Sequence, residues 1–174
     1  MNRHFWTVLC GMLTLAALAA TTPAPSHADG GGGGDATRPT ILGKPEDPDY
    51  SAAVKAIKAD RFAAAIPLLQ GVVSRDGTNA DAYNWLAYAT RRNGDPAGSL
   101  PIYQKALTID PKHRGAHEYI GEAYLALDDL ARAKQHLAML DKLCIFSCSE
   151  FRDLKKAVEA YEKSGGKVKP SASR

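Results

Sequence analysis

The chain has 174 residues, of which 45% are hydrophobic, 24% charged and 7% aromatic, with a formal net charge of +3. So balanced a charge excludes a broad basic surface for nucleic acid, and the scarcity of aromatics excludes base-stacking platforms and most all-β cores. Much of the hydrophobic share is alanine, which favours closely packed helices over a sheet.

The N-terminal segment, residues 1–28, reads as a signal peptide. Arg3 and His4 form a short basic region, Phe5 to Ala20 is an uncharged apolar run, and Ser26-His27-Ala28 has the small-x-small pattern of a cleavage site. The run is shorter than the roughly 18 to 20 residues of a membrane-spanning helix. Cleavage before Asp29 is therefore expected in preference to a retained anchor, and with it a periplasmic or secreted location without stable membrane insertion. Leu9 stands before Cys10 where lipoprotein sites carry a small residue, so a lipid anchor is not expected. Residues 29–46 hold the glycine run Gly30 to Gly34, then Pro39, Gly43 and Pro45, a composition that predicts a flexible linker. The tail, residues 165–174, is expected to be frayed.

Between linker and tail the sequence repeats every 34 residues. Ala53, Ala87 and Gly121 are small at one position of the period, and Ala65, Ser99 and Ala133 at another. Leu69, Tyr103 and Leu137 are large and apolar. Asp60, Gly94 and Asp128 each fall where a turn separates two apolar-periodic stretches, and even Pro67 and Pro101 keep the step. Units 47–78, 79–112 and 113–146 follow without gaps, each predicted as two helices. Asp47-Pro48 and Asp95-Pro96 are helix starts, with aspartate as the cap and proline in the first turn, where its missing N–H costs nothing. Asp110-Pro111 is a stop. The small residues predict close approach of the two helices within a pair, with Leu69 and Tyr103 filling the space between pairs. Each internal proline removes a hydrogen bond and is expected on an outer face. A last helix, about 148–164, places Phe151, Leu154, Val158 and Tyr161 on one stripe. Ser147 and Glu150 are spaced as a capping box at its start.

This pattern resembles the tetratricopeptide repeat family. The second unit carries the resemblance best, through Tyr83, Leu86, Ala87, Gly94, Ser99, Tyr103, Ala106 and Asp110-Pro111. The third shares Ile120, Gly121, Tyr124 and Ala133 but has Cys144-Ile145 in place of the closing Asp-Pro. The first is the most divergent, with Asp49 and Ala56 where aromatics are usual. The resemblance implies an all-α, right-handed solenoid of three helix pairs with a capping helix, whose polar outer face ends the stack. It also implies a partner-binding groove lined by the first helix of each pair. The 34-residue register assigns Tyr50, Val54, Ile57 and Lys58 to that groove from the first unit. Asn84, Tyr88, Arg91 and Arg92 follow from the second, and Glu118, Glu122 and Leu125 from the third. Such a mixture suits a peptide or protein segment, while the plainer alternative leaves Lys58, Arg91, Arg92, Glu118 and Glu122 as solvated charges. The family's clamp for C-terminal carboxylates is not expected, because Tyr50 and Val54 stand where it needs Lys and Asn.

Cys144 and Cys148 flank the turn before the last helix. In an exported protein they most simply form a disulfide that pins the cap; a soft-metal site for copper and a redox pair are the alternatives, and define a thiol-based carrier as the rival function. His113 and His117 have a helical metal spacing, but the register places them at a turn and a packing position. No nucleophile–base motif, phosphate loop or paired-carboxylate pattern stands out, so neither an enzyme nor a cofactor is expected.

Overall fold

A computed structural model describes residues 47–166, and the predicted signal peptide, linker and all but the first two residues of the tail lie outside that range. The described residues form seven helices: α1 (Pro48–Lys58), α2 (Phe62–Arg75), α3 (Ala80–Arg92), α4 (Pro96–Ile109), α5 (Arg114–Ala126), α6 (Leu130–Leu143) and α7 (Ser149–Lys163). No described helix is long and apolar enough to cross a membrane.

Local chemistry sets the helix boundaries. Asp47, Asn79, Asp95, His113 and Asp129 each accept a hydrogen bond from a first-turn backbone N–H, and the caps of the second unit, Asn79 and Asp95, recur one period on at His113 and Asp129. The predicted turn row Asp60, Gly94 and Asp128 adopts positive φ at all three steps, 54°, 101° and 59°. A single left-handed residue reverses the chain between the helices of each pair, and glycine or aspartate occupies it at least cost. Pro67 and Pro101 lie inside α2 and α4, exposed as expected.

The helices pack in antiparallel pairs, α1 with α2, α3 with α4 and α5 with α6, and α7 covers α5 and α6. The core runs along the whole stack in two joined clusters. One gathers Ala53, Leu69, Val72 and Leu86; the other gathers Ala87, Tyr103, Ile120, Leu140 and Leu154. Ala65, Ser99 and Ala133, the second row of small residues, are fully buried.

Two expectations are corrected. The nearest neighbour at Gly121 belongs to α7: a Cβ there would lie 2.6 Å from Leu154 Cδ2. The capping box also does not form. Ser147 has φ 30°, and the extended backbone that an N-cap requires belongs to Cys148, which offers no side-chain cap. Ser147 contributes its carbonyl, which accepts from Arg152 Nη1 at 2.7 Å. Cys144 and Cys148 are joined as a disulfide across this turn, with Cα atoms 5.5 Å apart. Both thiols are thereby consumed, leaving no thiolate in this state for a soft metal.

Candidate functional site

The first helices of the pairs, with α7 as the fourth in the row, line two neighbouring cavities that share Trp85. One, of about 420 Å³, is formed by Tyr50, Ser51, Val54, Lys55 and Lys58 of α1 with Trp85 of α3. The other, of about 370 Å³, lies between α3, α5 and the start of α7, and includes Asp81, Asn84, Glu118, Tyr119 and Asp153. The 34-residue register explains both. Ser51, Trp85, Tyr119 and Asp153 occupy one position of the period, and Tyr50, Asn84 and Glu118 the position before it.

The residues assigned to a groove from sequence separate into three sets. Tyr50, Val54 and Lys58 line the first cavity, and Asn84 and Glu118 the second. Tyr88, Arg91 and Glu122 form a buried layer. Arg91 Nη2 meets Glu122 Oε2 at 2.7 Å with the two side chains only 6% and 3% exposed, and the guanidinium lies 5.4 Å and 5.9 Å from the ring centroids of Tyr88 and Tyr119. Arg92 folds away from the cavities. It donates to the Tyr88 hydroxyl at 2.7 Å and covers the Phe62 ring at 4.5 Å. Ile57 and Leu125 are core residues. Arg91, Glu118 and Glu122 are therefore not solvated charges, contrary to the plainer reading.

Sequence reasoning missed Trp85, which the two cavities share, and Tyr119 of the second cavity, whose ring lies 6.4 Å from it. Their signal was present, since an aromatic recurs at the same step of the period. It also missed His136. His117 Nε2 lies 3.1 Å from the Pro111 carbonyl, so Nε2–H donates there and Nδ1 accepts from His136 Nδ1–H at 2.9 Å. His113 caps α5 through Nδ1 and donates from Nε2 to Asp81 at 3.0 Å. Packing and capping thus account for all three imidazoles, and no cluster of three metal-ligating side chains occurs among the described residues.

Two electrostatic consequences follow. Burial pushes the Glu118 carboxyl up to about 8, reinforced by Glu122, Asp153 and Glu150 and opposed by Arg91. Burial, then His117, lowers His136 to about 4, and burial lowers His117 as well. An unfolded histidine takes up its proton near pH 6.5, so the neutral pair stabilises the fold fully above that pH and loses its contribution as pH falls towards 4. Thermal melts between pH 7 and pH 4 should show this loss, and His136→Gln should flatten the profile; an unchanged profile would mean the pair does not titrate with unfolding.

A stack of antiparallel helix pairs whose first helices share one lined face defines an all-α solenoid. Within that class the particular repeat is decided by comparison. A family model for the tetratricopeptide repeat matches residues 91–143. Among solved structures, the first TPR domain of human RPAP3 is 19% identical, with 69% of this chain and 94% of that chain covered at a TM-score of 0.60. The first TPR of Spaghetti (RPAP3), bound to an HSP90 peptide, is 20% identical over 66% of this chain and 90% of that one, with a TM-score of 0.59. The Yersinia enterocolitica type III secretion chaperone SycD, in complex with a peptide of the translocator YopD, is 20% identical over 67% and 88%, with a TM-score of 0.58. No curated protein sequence matches the chain. Residues 91–143 are thus similar in sequence to the tetratricopeptide repeat, and the described residues share the fold of these solved domains.

Proposed function

We propose that the protein is a non-catalytic interaction module of the periplasm, holding an extended segment of a partner protein along the face lined by α1, α3, α5 and α7. The observation that carries this reading is the pair of cavities meeting at Trp85, one walled by apolar and lysine side chains and the other by carboxylates. Aromatic anchors in such positions dominate binding energy at protein interfaces. Solved relatives of the same fold bound to an HSP90 peptide and to a YopD peptide support it by analogy. The compartment is supported by the N-terminal basic region, apolar run and Ser26-His27-Ala28 pattern, and by a disulfide suited to an oxidising environment.

The test is selection of a displayed library of random peptides on the full chain, with Trp85→Ala as the control. Enriched peptides are expected to lose at least about tenfold in affinity on Trp85→Ala, equivalent to about 1.4 kcal/mol. No enrichment over bare support, or equal binding by the variant, would remove the groove reading. Fractionation of producing cells with intact-mass measurement tests the compartment, the expected species being a periplasmic chain beginning at Asp29.

A further inference from the structure

The cavity between α3, α5 and α7 is acidic, but its charges are not alike. Asp81 accepts a hydrogen bond from His113 Nε2–H at 3.0 Å, and Glu150 is paired with Arg114 at 3.7 Å. Glu122 is committed to Arg91. Glu118 and Asp153 remain, and neither has a cation at ion-pair distance among the described residues. Glu118 is 4% exposed, so its carboxyl has left bulk water without acquiring a counter-charge.

A second observation is independent of charge. Asn84 lines the same cavity, is 4% exposed, and its Oδ1 is a buried acceptor with no donor. Buried amide oxygens are almost always satisfied. Carboxylates and an amide oxygen accept and do not donate, so what the cavity lacks is a positively charged donor group. The aromatic walls Trp85 and Tyr119 add a preference, since cations placed against aromatic faces are more often guanidinium than ammonium. A planar guanidinium also serves several acceptors at once and is the more weakly hydrated of the two.

We propose that the cavity bounded by Asn84, Trp85, Glu118, Tyr119 and Asp153 is a receptor for one arginine side chain carried by the segment that lies along the groove. The proposal deepens the groove reading and rests on it for the segment, though not for the pocket itself. Its occupant is the opposite of an acidic C-terminal tail. Because Glu118 holds its proton up to about pH 8 in the empty cavity, seating a cation favours the carboxylate and releases that proton. Affinity is then expected to rise between pH 6.5 and pH 9. The groups facing Glu118 are Asp81 and Arg91 from α3, His113, Tyr119 and Glu122 from α5 or its cap, and Glu150 and Asp153 from α7. His113 is held on both ring nitrogens, by Asp81 and by the Ala116 N–H.

The experiment uses the full chain and a neutral-capped tripeptide, acetyl-Ala-Arg-Ala-amide, followed by the indole N–H resonance of Trp85. Two further probes carry lysine or uncharged citrulline in place of arginine. Arginine is expected to shift the resonance saturably, lysine to bind at least threefold more weakly, and citrulline to leave it unmoved. Glu118→Gln should remain folded, because it replaces a buried acid by its neutral isostere, and should weaken arginine binding at least tenfold; Asp153→Asn, on the surface, should weaken it in the same direction. Equal shifts from arginine and citrulline, or undiminished binding by both variants, would overturn the pocket. Equal binding of lysine would overturn the guanidinium preference. A tripeptide that binds while the displayed library yields nothing upholds the pocket and removes the segment; enriched peptides without a basic residue do the reverse.

Discussion

Replacing Arg91 with alanine is expected to destabilise the domain by about 3–5 kcal/mol, a large part of the roughly 5–15 kcal/mol that holds a domain together. The reason lies in what is left behind. Arg91 is the last-turn cation of α3 and Glu122 belongs to α5, so the ion pair joins two repeats across the buried layer. Truncating the arginine strands a carboxylate that is 2% exposed, and it also removes the guanidinium from beside the Tyr88 and Tyr119 rings. The pair as a whole is not expected to contribute on that scale, because both charges are desolvated to form it. Arg91→Met/Glu122→Leu should therefore recover most of the loss. Urea unfolding followed by far-UV circular dichroism checks both. A single variant that loses less than about 1 kcal/mol would mean the pair is as well screened as a surface salt bridge.

Truncating Leu154 to alanine is expected to cost about 2–5 kcal/mol. Leu154 is fully buried and is the residue by which α7 sits against Gly121. In a repeat stack each element is stabilised only by its neighbours, so loosening the cap exposes the third pair and leaves the first largely unaffected. Hydrogen exchange should accordingly accelerate in α5 to α7 before α1 and α2. The partner residue supplies a control. Gly121→Ala places a methyl within 2.6 Å of one Leu154 carbon and 2.8 Å of another, an overpacking expected to cost about 1–3 kcal/mol, less the gain of alanine over glycine within a helix. In the double variant the new methyl occupies space vacated by the leucine, so the two losses should sum to more than the measured one. Strict additivity would show that the contact is not the cause.

Much of the architecture was legible before any coordinates because it rests on short-range preferences. Asp60, Gly94 and Asp128 tolerate left-handed backbone better than most residues, and they recur where a helix pair must turn. Asp47 and Asp95 cap the helices they precede, each followed by proline in the first turn. Where local reading failed, the surroundings overrode it. Ser147 and Glu150 have the spacing of a capping box, but the turn closed by Cys144 and Cys148 sets Ser147 at positive φ and passes the cap to Cys148. Gly121 reads as a small residue for its own helix pair, yet its neighbour is Leu154 of α7, 33 residues on.

The candidate site was legible only in part. The register placed Tyr50, Val54, Lys58, Asn84 and Glu118 along the cavity-lined face, because residues one period apart repeat the same orientation. It could not say which of them stay in contact with solvent. Arg91, Glu118 and Glu122 look alike on a helical wheel, three charged groups on the first helices. Burial under neighbouring helices turns one carboxylate into half of an ion pair and leaves another without a counter-ion. His117 and His136 are 19 residues apart on different helices, and nothing in either segment announces that they meet.

The sequence by itself thus determined the helices, their turns and the 34-residue step by which they stack, since backbone preference and hydrophobic periodicity act over a few residues and are repeated in each unit. Only the tertiary structure decided which charges are paired, which carboxyl has its proton affinity raised by burial and which buried acceptors have no donor. Those properties depend on desolvation and on distances between side chains of separate repeats, and no segment of the chain contains them alone.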